Sequence, residues 1–352
     1  MCEGGDRAAA IRATPRPAPG AAVDPITLTP VDEVTVTVLV DNTFDGLLIG
    51  DERVRRPSFT AGRAPAPQFL DGTTMTGLLA EHGFGALVTV RRGDHTTSVL
   101  FDSGMSPDAL VTNADRLQVD LTAVQGIVLS HGHFDHAGGL AGIARRLGRS
   151  RMPIVVHPFA WTRRRLVPPG AEPVELPTLD PRALAAEGFT LVEREQPSLL
   201  VDGCVLITGE VDRVTDYEHG MPPAHQAWTG EAWRHDPLVI DDQALVVHVR
   251  DRGLVVLTGC GHAGAVNIVR HARRLTGVDR LHALVGGLHL SGPAFVPVIP
   301  PTVAALTELA PDLLMPGHCT GWRAQHTLAA ALPETWIPSG SGTAVRLAAP
   351  SD

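Results

Sequence analysis

Apolar residues along the chain fall into two kinds of block. The first is a short run of aliphatic and β-branched residues, and the earliest is VTVTVLV at 34–40, which stops at Asp41 and Asn42, residues that turn a chain. Similar runs at 86–90, 97–101, 126–130, 153–157 and 204–208 are predicted strands, as are those at 244–249, 253–258, 282–287, 312–315 and 344–347. The second kind has helical spacing. Ala265, Ile268, Val269, Ala272 and Leu275 fall on one face of a predicted helix, and Gly277 supplies its stop. Leu140, Ile143 and Leu147 before Gly148 predict another helix, and PPTVAALTELAP a third, with proline at its start and just after its end. Strands and helices alternate, so the predicted class is α/β.

Two stretches break the pattern. Residues 158–236 are Pro-rich and irregular, with VPPGAEPVELPTLDP near one end and YEHGMPPAHQAW near the other, and are expected to form an insertion or lid. It would belong to one domain running over 31–352. Residues 1–30 carry Pro, Gly, Ala and Arg without the apolar core of a secretory signal, and are expected to be a disordered leader.

Composition narrows the function classes. The 352 residues are 44% hydrophobic and 19% charged, and no apolar run approaches the ~20 residues of a membrane helix. Lys and Arg total 29 against 38 Asp and Glu, a net charge of -9, which argues against nucleic acid or an anionic membrane as partner. The expected partner is a small-molecule substrate, any anionic part of which must be held by local cations or a metal. Cys2, Cys204, Cys260 and Cys319 form no CxxC pair, which favours a reducing, cytoplasmic setting over a disulfide framework. Nothing in the sequence marks an oligomeric state.

The unusual count is 16 His against a single Tyr, and neutral imidazole is the commonest metal ligand. Four strand candidates end in a glycine-containing turn that delivers histidine. GIVLSHGHFDH brings His131, His133 and His136, LVVLTGCGH brings His262, ALVGGLH brings His289, and DLLMPGH brings His318. Ligands in α/β sheets gather at the carboxyl ends of strands, so these turns can converge across large sequence separations. Three imidazoles and the Asp135 carboxylate within six residues suit zinc, with manganese or iron also compatible, and alternate loop residues can face two different ions.

The string SHGHFDHAGGL resembles the HxHxDH signature of the metallo-β-lactamase superfamily. DNTFDG, EHGFGALV, FDSG, TGEVDR, DDQALVV, TGCGHAGAVNIV, GGLHL and PGHCTG resemble, in that order from about 34 to 348, the branch named for the dihydropterin-methyl-ribofuranosylaminobenzene phosphate synthases. The resemblance implies an αββα four-layer sandwich with its site along one edge of the two sheets. It also implies one or two zinc ions, His131 and His133 on the first and Asp135, His136 and His318 on the second, with Asp102 behind the ligands or capping its own turn.

Two departures from the superfamily pattern stand out. Where a bridging Asp is usual the chain has Cys260, which either ligates or packs as a small buried side chain; His262, two residues on, is the substitute ligand. Where a Gly-His pair is usual it has Thr208, Gly209 and Glu210, so Glu210 is a ligand, a substrate contact or an exposed turn acid. His289 binds metal, faces substrate or is a core histidine. Asp135, Glu210 and His289 are the candidates for a direct catalytic part. His82 of EHGFG recurs in the branch and is either near the site or a surface residue. Arg163, Arg164 and Arg165 either clasp a phosphate or form a solvated face, and Tyr217, Trp228 and Trp233 either stack on a flat ring or pack the insertion.

A metal pair lowers the pKa of water toward ~7, so hydrolysis of an ester, lactone, amide or phosphoester is its ordinary use. The branch resemblance implies instead a transferase that releases pyrophosphate from a pterin-like, phosphorylated substrate. A metal-binding protein without turnover is the third reading.

Overall fold

The computed structural model describes residues 7–15, 24–58 and 62–350. Two sheets face each other. In the first, β1 (Glu33–Val40), β2 (Gly85–Arg92) and β3 (His95–Phe101) are antiparallel neighbours, and β4 (Val124–Val128), β5 (Pro153–Val156) and β6 (Thr190–Glu193) continue it in parallel from β3. In the second, β7 (Ser198–Leu200), β8 (Val205–Ile207), β9 (Leu245–Val249) and β10 (Gly253–Thr258) run antiparallel in that order, then β11 (Leu281–Gly287) and β12 (Leu313–Gly317) run parallel to β10. The last strand, β13 (Ala344–Ala348), returns to the first sheet beside β1.

Strand periodicity builds the layers. Successive side chains on a strand point to opposite faces. Leu245, Val247 and Val249 of β9 therefore enter the core between the sheets, where they meet Val36, Val38, Val88, Phe101 and Val155, while Val246 faces the other way. There α3 (Ala265–Thr276) and α4 (Ile299–Leu309) cover it with Val266, Ile268, Val269 and Leu306. On the outer face of the first sheet, α1 (Ala109–Arg116) and α2 (Leu140–Leu147) bury Leu110, Ala114, Leu140 and Ile143 over Leu100, Ile127 and Ile154. The result is a four-layer αββα sandwich, as the resemblance implied. Among the described residues no helix is long and apolar enough to cross a membrane.

The predicted strands match within a residue or two at their ends, but two expectations about irregular stretches change. Part of the expected leader is ordered: Arg12–Ala13 pairs with β7, and Ile11 is buried in the intersheet core. An unpaired sheet edge offers free backbone groups that a short apolar segment can satisfy even from a Pro-rich sequence. The remaining leader positions 1–6 and 16–23 lie outside the described residues. The stretch 158–236 is not one excursion, because β6, β7 and β8 within it are sheet strands. The excursion proper holds a small sheet of Val174–Glu175, Arg164–Leu166, His225–Trp228 and Trp233–His235.

That excursion also caps α3. Gly264 at the helix start has no side chain to offer, so Glu218 accepts from the backbone N–H groups of Val266 and Asn267, each at 2.9 Å, while Thr215 donates to it at 3.0 Å. Glu218→Ala removes this cap and is expected to destabilise the protein by ~1–2 kcal/mol, read as a lower urea midpoint at unchanged slope.

Candidate metal centre

The site forms where strands end along one edge of the sandwich. Asp41 follows β1, Asp102 follows β3, the loop from Leu129 follows β4, Cys260 follows β10, and His318 follows β12. Asp102, His289 and His318 have left-handed backbone, with φ of +60°, +42° and +48°. Non-glycine residues rarely adopt this conformation, and it is held where the surroundings over-determine it. Two glycines make the convergence possible. A Cβ on Gly132 would stand 2.2 Å from the Ala160 carbonyl oxygen, and one on Gly259 would stand 2.0 Å from Ser130 Oγ.

Three imidazoles from two strand ends meet first. His131 Nε2 and His133 Nδ1 are 2.9 Å apart, and His262 Nε2 lies 3.2 Å from both. The outer hydrogen bonds decide where the protons sit. Ser130 Oγ donates to Asp102 Oδ2 at 2.7 Å, so it accepts from His131 Nδ1 at 2.9 Å, and Nε2 of that ring keeps its lone pair. His225 Nδ1 must donate to the Asp236 carbonyl at 3.1 Å. Its Nε2 therefore accepts from His133 Nε2 at 3.0 Å, which leaves the lone pair of His133 on Nδ1. Burial pushes the pKa of His131, His133 and His262 well down, so all three are neutral. Facing lone pairs repel, and a cation between them converts that repulsion into coordination.

A second donor set lies alongside. Asp135, His136, Cys260 and His318 each offer an atom within 4.8 Å of the others. His136 Nε2 is 3.2 Å from Cys260 Sγ, which is 3.4 Å from His318 Nε2, and Asp135 Oδ2 is 3.3 Å from His318 Nε2 and 3.6 Å from His136 Nε2. Burial opposes protonation of His136, but the Asp102 and Asp135 carboxylates prevail and push it up to about 9. Burial likewise works against the Asp135 charge, yet His136 and His318 hold that carboxyl well below the usual range. Positive charge is thus favoured between these groups, a demand that a divalent cation meets. Cys260 also lies within 4.8 Å of the donor atoms of His131 and His262, so its sulfur stands between the two sets.

The motifs that flank the ligands brace them. Asp102 Oδ2 accepts from His136 Nδ1 at 2.7 Å, while Oδ1 accepts from the Ser130 backbone N–H at 2.7 Å. Asp41 Oδ1 accepts from the His318 backbone N–H at 2.8 Å, and Asn42 Nδ2 donates to the His318 carbonyl at 3.1 Å. Within the string Asp241, Asp242 and Gln243, the first accepts from Gly132 N at 2.8 Å, the second from Ala263 N at 2.9 Å, and the third donates to the Leu129 carbonyl at 2.8 Å.

The sequence-derived candidates sort cleanly. His131, His133, Asp135, His136, Cys260, His262 and His318 come together. His289 lies tilted against His262, 4.2 Å between centroids, rather than joining either set. Glu210 belongs to neither: its Oε1 lies 3.4 Å from His157 Nε2. Exposed His82 reaches the rim, 3.8 Å from Asp135. The arginine run does not form a phosphate clasp, because Arg164 is buried in ion pairs with Asp241 and Asp236, while Arg163 pairs with Glu175 and lies against Trp228 and Trp233. Arg165 also lies against Trp233, which occupies those rings. His225 escaped notice, since it comes from an irregular segment with no strand-end signature.

Asp102→Asn places an amide where two donors need an acceptor. It is expected to weaken cation binding by about 10–100-fold with far-UV circular dichroism unchanged, measured by competition with a chromogenic chelator. His225→Ala removes the acceptor that sets the His133 tautomer. A loss of about tenfold is expected in the same assay.

A model of the metallo-beta-lactamase superfamily matches residues 83–273. The 7,8-dihydropterin-6-methyl-4-(beta-D-ribofuranosyl)-aminobenzene-5'-phosphate synthase of Methanocaldococcus jannaschii is 27% identical over 251 residues, which is 70% of this chain and 83% of that protein. An uncharacterized protein of the same organism is 26% identical over 259 residues, 72% of this chain and 90% of its own length. A crystal structure described as a metal-dependent hydrolase of the beta-lactamase superfamily superposes with a TM-score of 0.66 at 25% identity, covering 90% of this chain and all of that one. With more than half of its residues inside the matched region and its histidines converging at the sheet edge, the chain belongs to the metallo-beta-lactamase superfamily.

Proposed function

We propose that this protein is a metal-dependent hydrolase of a small molecule, using two cation positions that share Cys260. His131, His133 and His262 with Cys260 would hold one cation, and Asp135, His136 and His318 with Cys260 the other. The observation that carries the reading is the set of facing lone pairs on His131 and His133, which a bound cation satisfies while burial disfavours the proton that would otherwise bridge them. Nitrogen, carboxylate and thiolate donors together match zinc best. Bound there, a pair of such ions supplies an acidified water and polarises a substrate oxygen.

The chain's own groups would shape the rest. A cleft of about 100 Å³ opens beside His262 and His289, walled by Tyr217, Leu288, Leu290 and Phe295. Among the described residues that line it there is no lysine or arginine, so the substrate body there would be neutral or cationic and partly apolar, and an anionic group would lie toward the cations. His289 presents its ring at the inner end of this wall, edge-on to Phe295. His82, at the rim beside Asp135, is placed to pass a proton to solvent.

The similarity to the archaeal synthase favours a second reading, in which an organic acceptor takes the place of water and the cations hold a pyrophosphate leaving group. One experiment separates the readings. Zinc-loaded protein is offered chromogenic esters, lactones, β-lactams and phosphodiesters, and separately a hydroxymethyl-dihydropterin diphosphate with an aromatic acceptor. Turnover in the first set that falls to background in His133→Ala is the expected result. Pyrophosphate release that requires both partners would replace it with the transferase, and no reaction in either would leave a metal-binding protein without turnover.

A further inference from the structure

A second thiol lies on the far side of Cys260. Cys319 follows His318 on the turn after β12, so consecutive residues present an imidazole to the Asp135 and His136 side and a thiol to the other. Cys319 Sγ donates to the Cys260 carbonyl at 3.3 Å, and the donor atoms of Cys260, Cys319 and His289 all lie within 4.8 Å of one another. His289 keeps its left-handed backbone here, and its Nδ1 is buried without a hydrogen-bond partner. Its ring is fixed between His262 and Phe295. Space for the second sulfur depends on Gly287, where a Cβ would stand 2.7 Å from Cys319 Sγ.

Packing alone is a poor explanation for two thiols and an imidazole turned toward each other beside donor sets that already use one of the thiols. We propose that Cys260, His289 and Cys319 form a third cation position, with a thiolate-rich donor set that prefers a thiophilic ion such as zinc, cadmium or cuprous copper. Two sulfurs and one nitrogen make it softer than the pair beside it, where Cys260 is the one sulfur among nitrogen and carboxylate donors. His289 also lines the cleft, which leaves a fourth coordination place for water or a cleft ligand. The position shares Cys260 with the proposed pair, but His289 and Cys319 belong to neither of those sets, so it can be tested without any turnover.

The test uses the full chain, stripped with a chelator under reducing conditions and titrated with cadmium. Bound metal is counted by elemental analysis, and sulfur coordination is followed by thiolate-to-cadmium charge-transfer absorption. The wild type is expected to take up one cation more than Cys319→Ser, with a sulfur band that falls by about half in the variant as one of two thiolates is lost. His289→Gln is expected to move the Cys319-dependent step to at least about tenfold higher cadmium, and it decides the matter if Cys319→Ser does not fold. His133→Ala should lose uptake at the position of His131 and His262 while keeping the Cys319-dependent band, which separates failure of that position from failure of this one. Equal uptake and equal sulfur bands in wild type and Cys319→Ser, with His289→Gln unchanged, would overturn the proposal. A Cys260–Cys319 disulfide that mass spectrometry finds persisting in the presence of the reductant would overturn it as well.

Discussion

Neutral imidazoles held lone pair to lone pair are the constraint on which the rest of this structure depends. An isolated imidazole in water would turn its ring or take up a proton. His131 and His133 do neither, because each has its other nitrogen committed to an acceptor whose own protons are fixed elsewhere. Ser130 is an acceptor only because Asp102 takes its proton, and His225 is one only because Asp236 takes its own. Burial then disfavours protonation of either ring. The orientation of both rings is held by packing and hydrogen bonds that extend well beyond the ligands.

The sandwich supplies that packing at its edge. Strands from both sheets stop at the same level, and the residues just after them take backbone conformations that would be costly in an open loop. Asp41, Asp102 and the string Asp241 to Gln243 hold these turns through side-chain to backbone hydrogen bonds, so each arm of the cluster is gripped from a different part of the chain. The irregular excursion has a structural duty too. It delivers His225 to His133 and Glu218 to the start of α3, the helix that follows His262.

Cys260 gives the centre its particular character. It lies between donor sets that would otherwise be bridged by a carboxylate in the superfamily pattern, and burial pushes its thiol up, so a cation must repay the cost of its ionisation. Sulfur reaches further and binds softer ions than carboxylate oxygen. The neighbouring Cys319 and His289 extend this soft character away from the nitrogen-rich side.

Much was legible in the sequence because period and punctuation are local. Alternating valines from 34 to 40 and from 244 to 249 marked the strands, and the apolar face from Ala265 to Leu275 marked α3, since each pattern reports a face that must be buried. The density of His131, His133, Asp135 and His136 marked a candidate cluster, and the recurrence of glycine and histidine after apolar runs pointed to His262 and His318, which the fold brings to it. Tertiary structure alone could decide the roles of His225, Glu210 and the arginine run. His225 carries no local signal, and it matters only because a small sheet folds it onto His133. Glu210 and Arg164 sit in suggestive contexts, but their partners, His157 for one and Asp241 and Asp236 for the other, are set by which distant segments the fold brings beside them. A side chain's chemistry is written in its residue type; its proton, its charge and its partner belong to the space around it.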